Sequence, residues 1–320
     1  MNASDAAKVL LTTCSDCKEE EKILFVTDAK SFEVARVMWD AASGFNKKTL
    51  VMMEEREMHG EEPSELVAAA MNEADVIFGV TAFSLFHSEA RRKAVSKGAR
   101  FVNMVDYNLN MMKKGGLYCN FDEIGKICTD VSRKLIGKKK CKITTEAGTR
   151  FECSIEGIEP TPQYGRSVIA GSSSSPPDIE CATCAVEGTG EGIIVVDGSI
   201  PHPQLGLITE NIVLTVKKGL IVNIEGGKQA KTLEKILHNF KDPNVYNLGE
   251  IGIGLNPMCE LNGSMLEDEG CSETLHFGAG DNRGFGGKTA SKYHLDIIIK
   301  NPSLEVDGEK VLIEGKVTSC

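Results

Sequence analysis

No stretch of this chain approaches the roughly 20 apolar residues needed to cross a bilayer. Its N-terminus, MNASDAAKVLLTTCSDCKEEEKILF, also lacks a basic segment followed by a long apolar core. Neither a membrane partner nor a secretion signal is expected, and the reading is a cytoplasmic protein. Positive charge is in deficit: 36 Lys and Arg stand against 46 Asp and Glu, for a net charge of -10. That balance argues against nucleic acid as a partner. No Gly-rich phosphate loop follows any apolar run, so a dinucleotide site has no support beyond fold analogy. Neither a Ser-His-Asp triad nor a Cys-His nucleophile has a local signature. The 11 cysteines, without a secretion signal, read as reduced thiols. Two CxxC pairs, Cys14/Cys17 and Cys181/Cys184, lie far apart in dissimilar contexts. They read as a packed strand residue at Cys181 and partly exposed thiols at Cys14 and Cys17, rather than as a zinc site.

With 320 residues the chain is long enough for two domains, each with its own core. Its first part alternates short apolar runs (KILFVTD, TLVMM, DVIFGV, ARFVNMV) with segments of helical spacing such as SFEVARVMWDAAS and SLFHSEARRKAVSKG. Strands alternating with helices predict an α/β fold, a Rossmann-like parallel sheet, over residues 1–138. Gly98 and Gly137 fall where helices would end. After Lys138 the texture changes. KCKITTEAGTRFECSIEG predicts a hairpin, and LEVDGEKVLIEGKV another that turns at Asp307-Gly308. Residues 139–320 are expected to form a strand-rich α+β domain that binds metal.

Of the six histidines, two fall in LHFGAGDNRGFGGKTASKYHLDIII, residues 275–299. His276, His294 and Asp296 are all metal-ligand types. His294 and Asp296 lie two apart at the head of an apolar run, so a strand there points both to one face. The Gly-rich segment between the histidines can turn sharply and approach a ligand.

The second half resembles the M29 family of metallo-aminopeptidases. The residues that carry the resemblance are IECATCAVEGTGEG, GEIGIGLNP, HFGAGDN with FGG, and HLD, within residues 140–320. It implies five ligands, Glu180, Glu250, His276, His294 and Asp296, to a pair of Zn, Mn or Co ions. It also implies hydrolysis of a small amide or short peptide, and a homodimer. Two divalent ions held by carboxylates and imidazoles would lower the pKa of a shared water and polarise the scissile carbonyl. Glu187, with Glu191 behind it, is the candidate general base. Two departures stand out. Ile179 replaces the Gly before the first Glu, and Arg283 lies near the position of the family's tyrosine ligand. Tyr293 is a poor substitute, because it points to the opposite strand face from His294. Asn282 and Arg283 are candidates for binding an anionic substrate group.

The same superfamily contains the 2,5-dihydroxypyridine dioxygenases, which share the HxD ending and the GLNP-like strand. They open a pyridine ring with oxygen at one Fe(II). In that branch the position of Glu250 is a His and that of His276 is not a ligand type, so Glu250 and His276 favour the hydrolase. Glu187 matches a carboxylate of the dioxygenase branch, which keeps that alternative open. So does the count of His276, His294 and Asp296, two imidazoles and one carboxylate. A third alternative is a non-catalytic metal or small-ligand binding protein.

Overall fold

A computed structural model describes residues 2–319. The chain forms two units. One runs up to Phe121 and takes in Tyr164–Pro177; the other comprises Asp122–Gln163 and everything from Asp178 onward. The chain therefore passes between units three times, where the sequence suggests one boundary near residue 138.

The first unit is built on a parallel sheet of β1 (Ile23–Thr27), β2 (Lys48–Met52), β3 (Val76–Val80) and β4 (Arg100–Asn103), extended by Ser173–Ser174. The order is β2-β1-β3-β4 and then Ser173–Ser174. β1, β3 and β4 are buried throughout, which is why they read as continuous apolar runs, whereas β2 is partly exposed. Phe25 stacks on Phe78 at 5.2 Å in the core. The helices Glu65–Glu73 and Glu89–Ser96 start where Ser64 and Ser88 accept from the Val67 and Arg91 backbone N–H. The second ends at Gly98, whose φ of +104° suits glycine. Strand order reverses between β1 and β3, the usual place for a nucleotide. Here Asp28, just after β1, fills that crevice. Its carboxylate accepts from Ser31 N at 2.9 Å and Ala82 N at 2.7 Å. A phosphate would have to compete with that side chain for the same backbone donors.

The second unit contains an eight-stranded sheet and a five-stranded sheet. The expected hairpins belong to the larger one: Lys140–Thr144 pairs with Arg150–Ser154, and Ser303–Val306 with Glu309–Ile313. Asp307 and Gly308 both have positive φ, as the tight turn between the latter strands requires. The smaller sheet consists of β5 (Thr161–Gln163), β6 (Glu180–Cys184), β7 (Leu248–Gly254), β8 (Thr274–Gly280) and β9 (His294–Lys300). All are antiparallel, in the order β9-β8-β7-β6-β5. One face carries Ile251, Ile253, Leu275, Phe277, Leu295 and Ile297, all buried, and Phe277 meets Phe151 of the larger sheet edge to face at 5.3 Å. Cys181 and Cys184 are three apart on β6 and point to opposite faces, so they cannot share a zinc ion. Cys14 is buried, not partly exposed. Among the described residues no helix is long and apolar enough to cross a membrane.

Candidate metal centre

Cross-strand register assembles the centre on the other face of the smaller sheet. Glu250 lies opposite Cys184 on β6 and Gly278 on β8, and Gly252 lies opposite Ala182 and His276. Gly278 in turn lies opposite Asp296, Gly280 opposite His294, and Gly254 opposite Glu180. Residues directly opposite share a face. All five ligand candidates thus point the same way, and the positions between them are small. A Cβ at Gly252 would lie 2.1 Å from His276 Nε2, and one at Gly278 would lie 2.6 Å from both Glu250 Cβ and His294 Cε1. The glycines of GEIGIG and HFGAG leave room for the side chains of their neighbours.

The donors form two triads. Glu180, Glu250 and His276 make one; Glu250, His294 and Asp296 make the other, each with ligand atoms within 4.8 Å of one another. His276 Nε2 is 3.1 Å from Glu180 Oε2 and 3.5 Å from Glu250 Oε1. His294 Nε2 is 2.9 Å from Glu250 Oε2 and 3.1 Å from Asp296 Oδ1. The two histidines therefore fall in different triads that share Glu250, and no triad holds two imidazoles and one carboxylate. His294 Nδ1 lies 2.7 Å from the Asp281 carbonyl. Donation to that oxygen leaves Nε2 as the free ligand atom. The His276 side chain is 1% exposed and that of His294 30%, so the centre opens at His294, where Phe285 stacks on the imidazole at 5.8 Å.

These residues fit a divalent cation. Glu180 Oε2 and Glu250 Oε2 are buried and close to imidazole nitrogens, yet neither has an aligned hydrogen bond. Lone pairs converging in this way match a shared ion better than one another. The electrostatics agree. Burial pulls the His276 imidazole down, but Glu180, Glu250 and Asp296 outweigh it and raise it to about 10. Burial also opposes the charged form of His294, and Asp296 and Glu250 again drive it well above its usual range. Asp296 is pushed up by burial but held well below the carboxylate range by His294 and His276. Burial and the Asp178 carboxylate push Glu180 well up. Without a cation, so many acids can share this space only by holding protons.

Two further acids belong here that sequence reading missed. Asp178 is buried, and burial raises it to about 7, with His276 opposing and Glu250 and Asp296 adding to the rise. Its spacing two before Glu180 was a usable signal. Glu269 comes from the short helix Met265–Gly270, which packs against β7 and β9. It hydrogen-bonds Asp296, and burial and that neighbour push it well up. The run LEDEG looks like a solvated helix face, and nothing local distinguishes it.

The other candidates are engaged away from the donors. Glu187 Oε1 accepts from Asn282 Nδ2 at 3.2 Å and from the backbone N–H of Lys288 and Thr289. These bonds engage one of its two carboxylate oxygens. Glu191 accepts from Lys218 N at 2.9 Å. Asn282 is buried and also accepts from Thr289 N and donates to Cys184 Sγ. Arg283 is 61% exposed and pairs with Asp281 at 2.6 Å. Tyr293 stacks on Phe240 at 4.2 Å.

Comparison with known proteins separates the two branches. Residues 5–319 match the family described as NicX, 2,5-dihydroxypyridine 5,6-dioxygenase. A 2,5-dihydroxypyridine 5,6-dioxygenase of Pseudomonas putida KT2440 is 29% identical over 187 residues, 55% of this chain and 53% of that protein. The chain thus spans about half the length of the curated relative it matches. The solved structure of 2,5-dihydroxypyridine dioxygenase from Pseudomonas putida KT2440 superimposes with a TM-score of 0.84 at 22% identity, covering 99% of this chain and 97% of that one. Wild-type AmpT from Thermus thermophilus gives 0.72 at 12% identity, covering 99% of each chain. At such identities both likenesses show the fold alone. The family match over residues 5–319 overturns the expectation of an M29 aminopeptidase, a metalloprotease-type hydrolase. The motifs that suggested it encode a carboxylate and imidazole cradle on one sheet face. Matched over nearly its whole length, the chain belongs to the 2,5-dihydroxypyridine 5,6-dioxygenase family.

Proposed function

We propose that this chain is a metal-dependent dioxygenase that opens the ring of a small hydroxylated N-heteroaromatic. The observation that carries the reading is the family match over residues 5–319, joined to a converging donor set with one open side. Glu250, His294 and Asp296 would hold a divalent ion, Fe(II) for this chemistry, because theirs is the triad that opens to solvent. Such an ion, when bound, supplies the means of bringing dioxygen and an electron-rich ring to react. One imidazole with two carboxylates is richer in oxygen than the usual Fe(II) triad.

The chain's own residues do the rest. The Asp281 carbonyl sets the His294 tautomer. Glu180 and His276 close the buried side and keep bulk water from it. Phe285 offers a flat apolar face beside His294, against which an aromatic ring can lie. Glu269 hydrogen-bonds Asp296, which orients that carboxylate.

The test is anaerobic loading with Fe(II), followed by 2,5-dihydroxypyridine and oxygen. The expected result is oxygen uptake with matching loss of the ring absorbance, and no hydrolysis of aminoacyl anilides. Fe(II)-loaded protein that leaves the ring and oxygen untouched would overturn the reading.

A further inference from the structure

The segment 281–293 joins β8 to β9 and carries two groups that touch His294: the Asp281 carbonyl at Nδ1, and the Phe285 ring. It is rich in glycine, with Gly284, Gly286 and Gly287, and its middle contributes no strand. A free segment of this composition would sample many conformations. What holds it comes from elsewhere. Glu187 lies beyond the end of β6 and is half-buried. Its single oxygen Oε1 takes three donors from the segment: Asn282 Nδ2, Lys288 N and Thr289 N. Asn282 Oδ1 takes a further bond from Thr289 N at 2.9 Å, and the Asn282 carbonyl accepts from Phe285 N and Gly287 N. Asn282 is next to Asp281, so fixing it fixes the carbonyl that meets His294. Burial opposes the Glu187 carboxylate, but the backbone donors outweigh it and keep its pKa below the usual value, as an acceptor of several N–H groups requires.

We infer that Glu187 is a positioning residue: it straps segment 281–293 so that Asp281 and Phe285 set the orientation of His294 as a ligand. The inference rests on the reading of Glu250, His294 and Asp296 as a metal site.

Cobalt(II) titration of the metal-free protein, with the visible spectrum recorded, provides the first readout. Trypsin provides the second, since Arg283, Lys288 and Lys292 are exposed in the segment. Glu187→Ala is expected to weaken cobalt about 10–100-fold, the effect of losing a partner that orients a ligand. It should also alter the spectrum and open the segment to cleavage at Lys288. Glu187→Gln keeps the accepting oxygen and should restore binding to within a few-fold of wild type. In a His294→Ala background, Glu187→Ala should add almost nothing, because both changes act through one ligand. Should Glu187→Ala not fold, Glu187→Asp, which withdraws the carboxylate by one methylene, carries the same expectation. Unchanged cobalt affinity and spectrum, or full additivity with His294→Ala, would overturn the strap. Cobalt that fails to bind wild-type protein at all would sink the metal reading itself, and the role of His294 with it.

Discussion

At the scale of single residues, Glu250 is the side chain common to both triads. Removing it takes one donor from each and leaves each imidazole with a single buried carboxylate beside it, Glu180 for His276 and Asp296 for His294. Glu250→Ala should therefore weaken divalent-metal binding by more than the roughly 10–100-fold typical of losing an outer partner of a ligand. Glu250→His puts another ligand type at the same place and should retain binding. Isothermal titration with Co(II) or Zn(II) checks both, and wild-type affinity in the Ala variant would place the ion elsewhere. Residue identities were where the sequence spoke most clearly. His276, His294, Asp296, Glu180 and Glu250 are all ligand types within readable motifs, and the fold brings them together. Glu187, Asn282 and Arg283 were readable as polar residues near the motifs, but not in what they do. A hydrogen bond from Thr289 N to Glu187 spans 102 positions. No local pattern encodes such a contact.

At the scale of elements, the small residues of β7 and β8 matter as much as the ligands. Gly278 has Glu250 Oε2 within 2.7 Å of where a Cβ would stand, so the position is closed by side chains rather than by backbone strain. Gly278→Ala must displace His294 or Glu250. We expect a stability loss of about 1–3 kcal/mol from overpacking and a clear fall in metal affinity. Gly284→Ala is the control, because nothing lies within 4 Å of its added carbon. Urea denaturation paired with metal titration distinguishes the two variants, and a Gly278→Ala protein indistinguishable from Gly284→Ala would refute the packing argument. Alternation along HLDIII was enough to place His294 and Asp296 on one face. Which residues of β6, β7 and β8 stand opposite them follows from register across the sheet, and a one-residue slip would have turned every ligand to the other side.

At the scale of the whole molecule, the concentration of buried acids makes stability depend on pH and on metal. The sign follows from proton uptake. His276, raised to about 10, contributes stability that is present below its unfolded value near 6.5 and is lost as pH rises through about 10. Asp178, raised to about 7, holds its proton longer folded than unfolded, so its contribution also falls as pH rises from about 4 to 7. Glu180 and Glu269 act in the same direction. Asp296 acts oppositely, and only as pH falls below the normal carboxylate range. Metal-free protein should therefore lose stability between about pH 5 and about pH 9. A divalent ion at about 100 times its Kd should restore about 2.7 kcal/mol and flatten the slope, since binding expels those protons. Denaturant midpoints across that range, with chelator and with metal, check this. A metal-free midpoint that rises with pH would contradict the picture of the centre.

The sequence by itself determined the alternation of strands and helices, the hairpins at 140–154 and 303–313, and the ligand types of HFGAG and HLD. These are local: each follows from periodicity, turn residues or side-chain chemistry within a few positions. The tertiary structure alone decided that 164–177 returns to the first unit, that the two histidines divide between triads sharing Glu250, and that Asp178 and Glu269 crowd the same centre. It also decided that Glu187 ties down a distant segment. Each of these depends on which strands lie side by side and which short helix covers them. That outcome is set by the packing of the whole core, not by any stretch short enough to read.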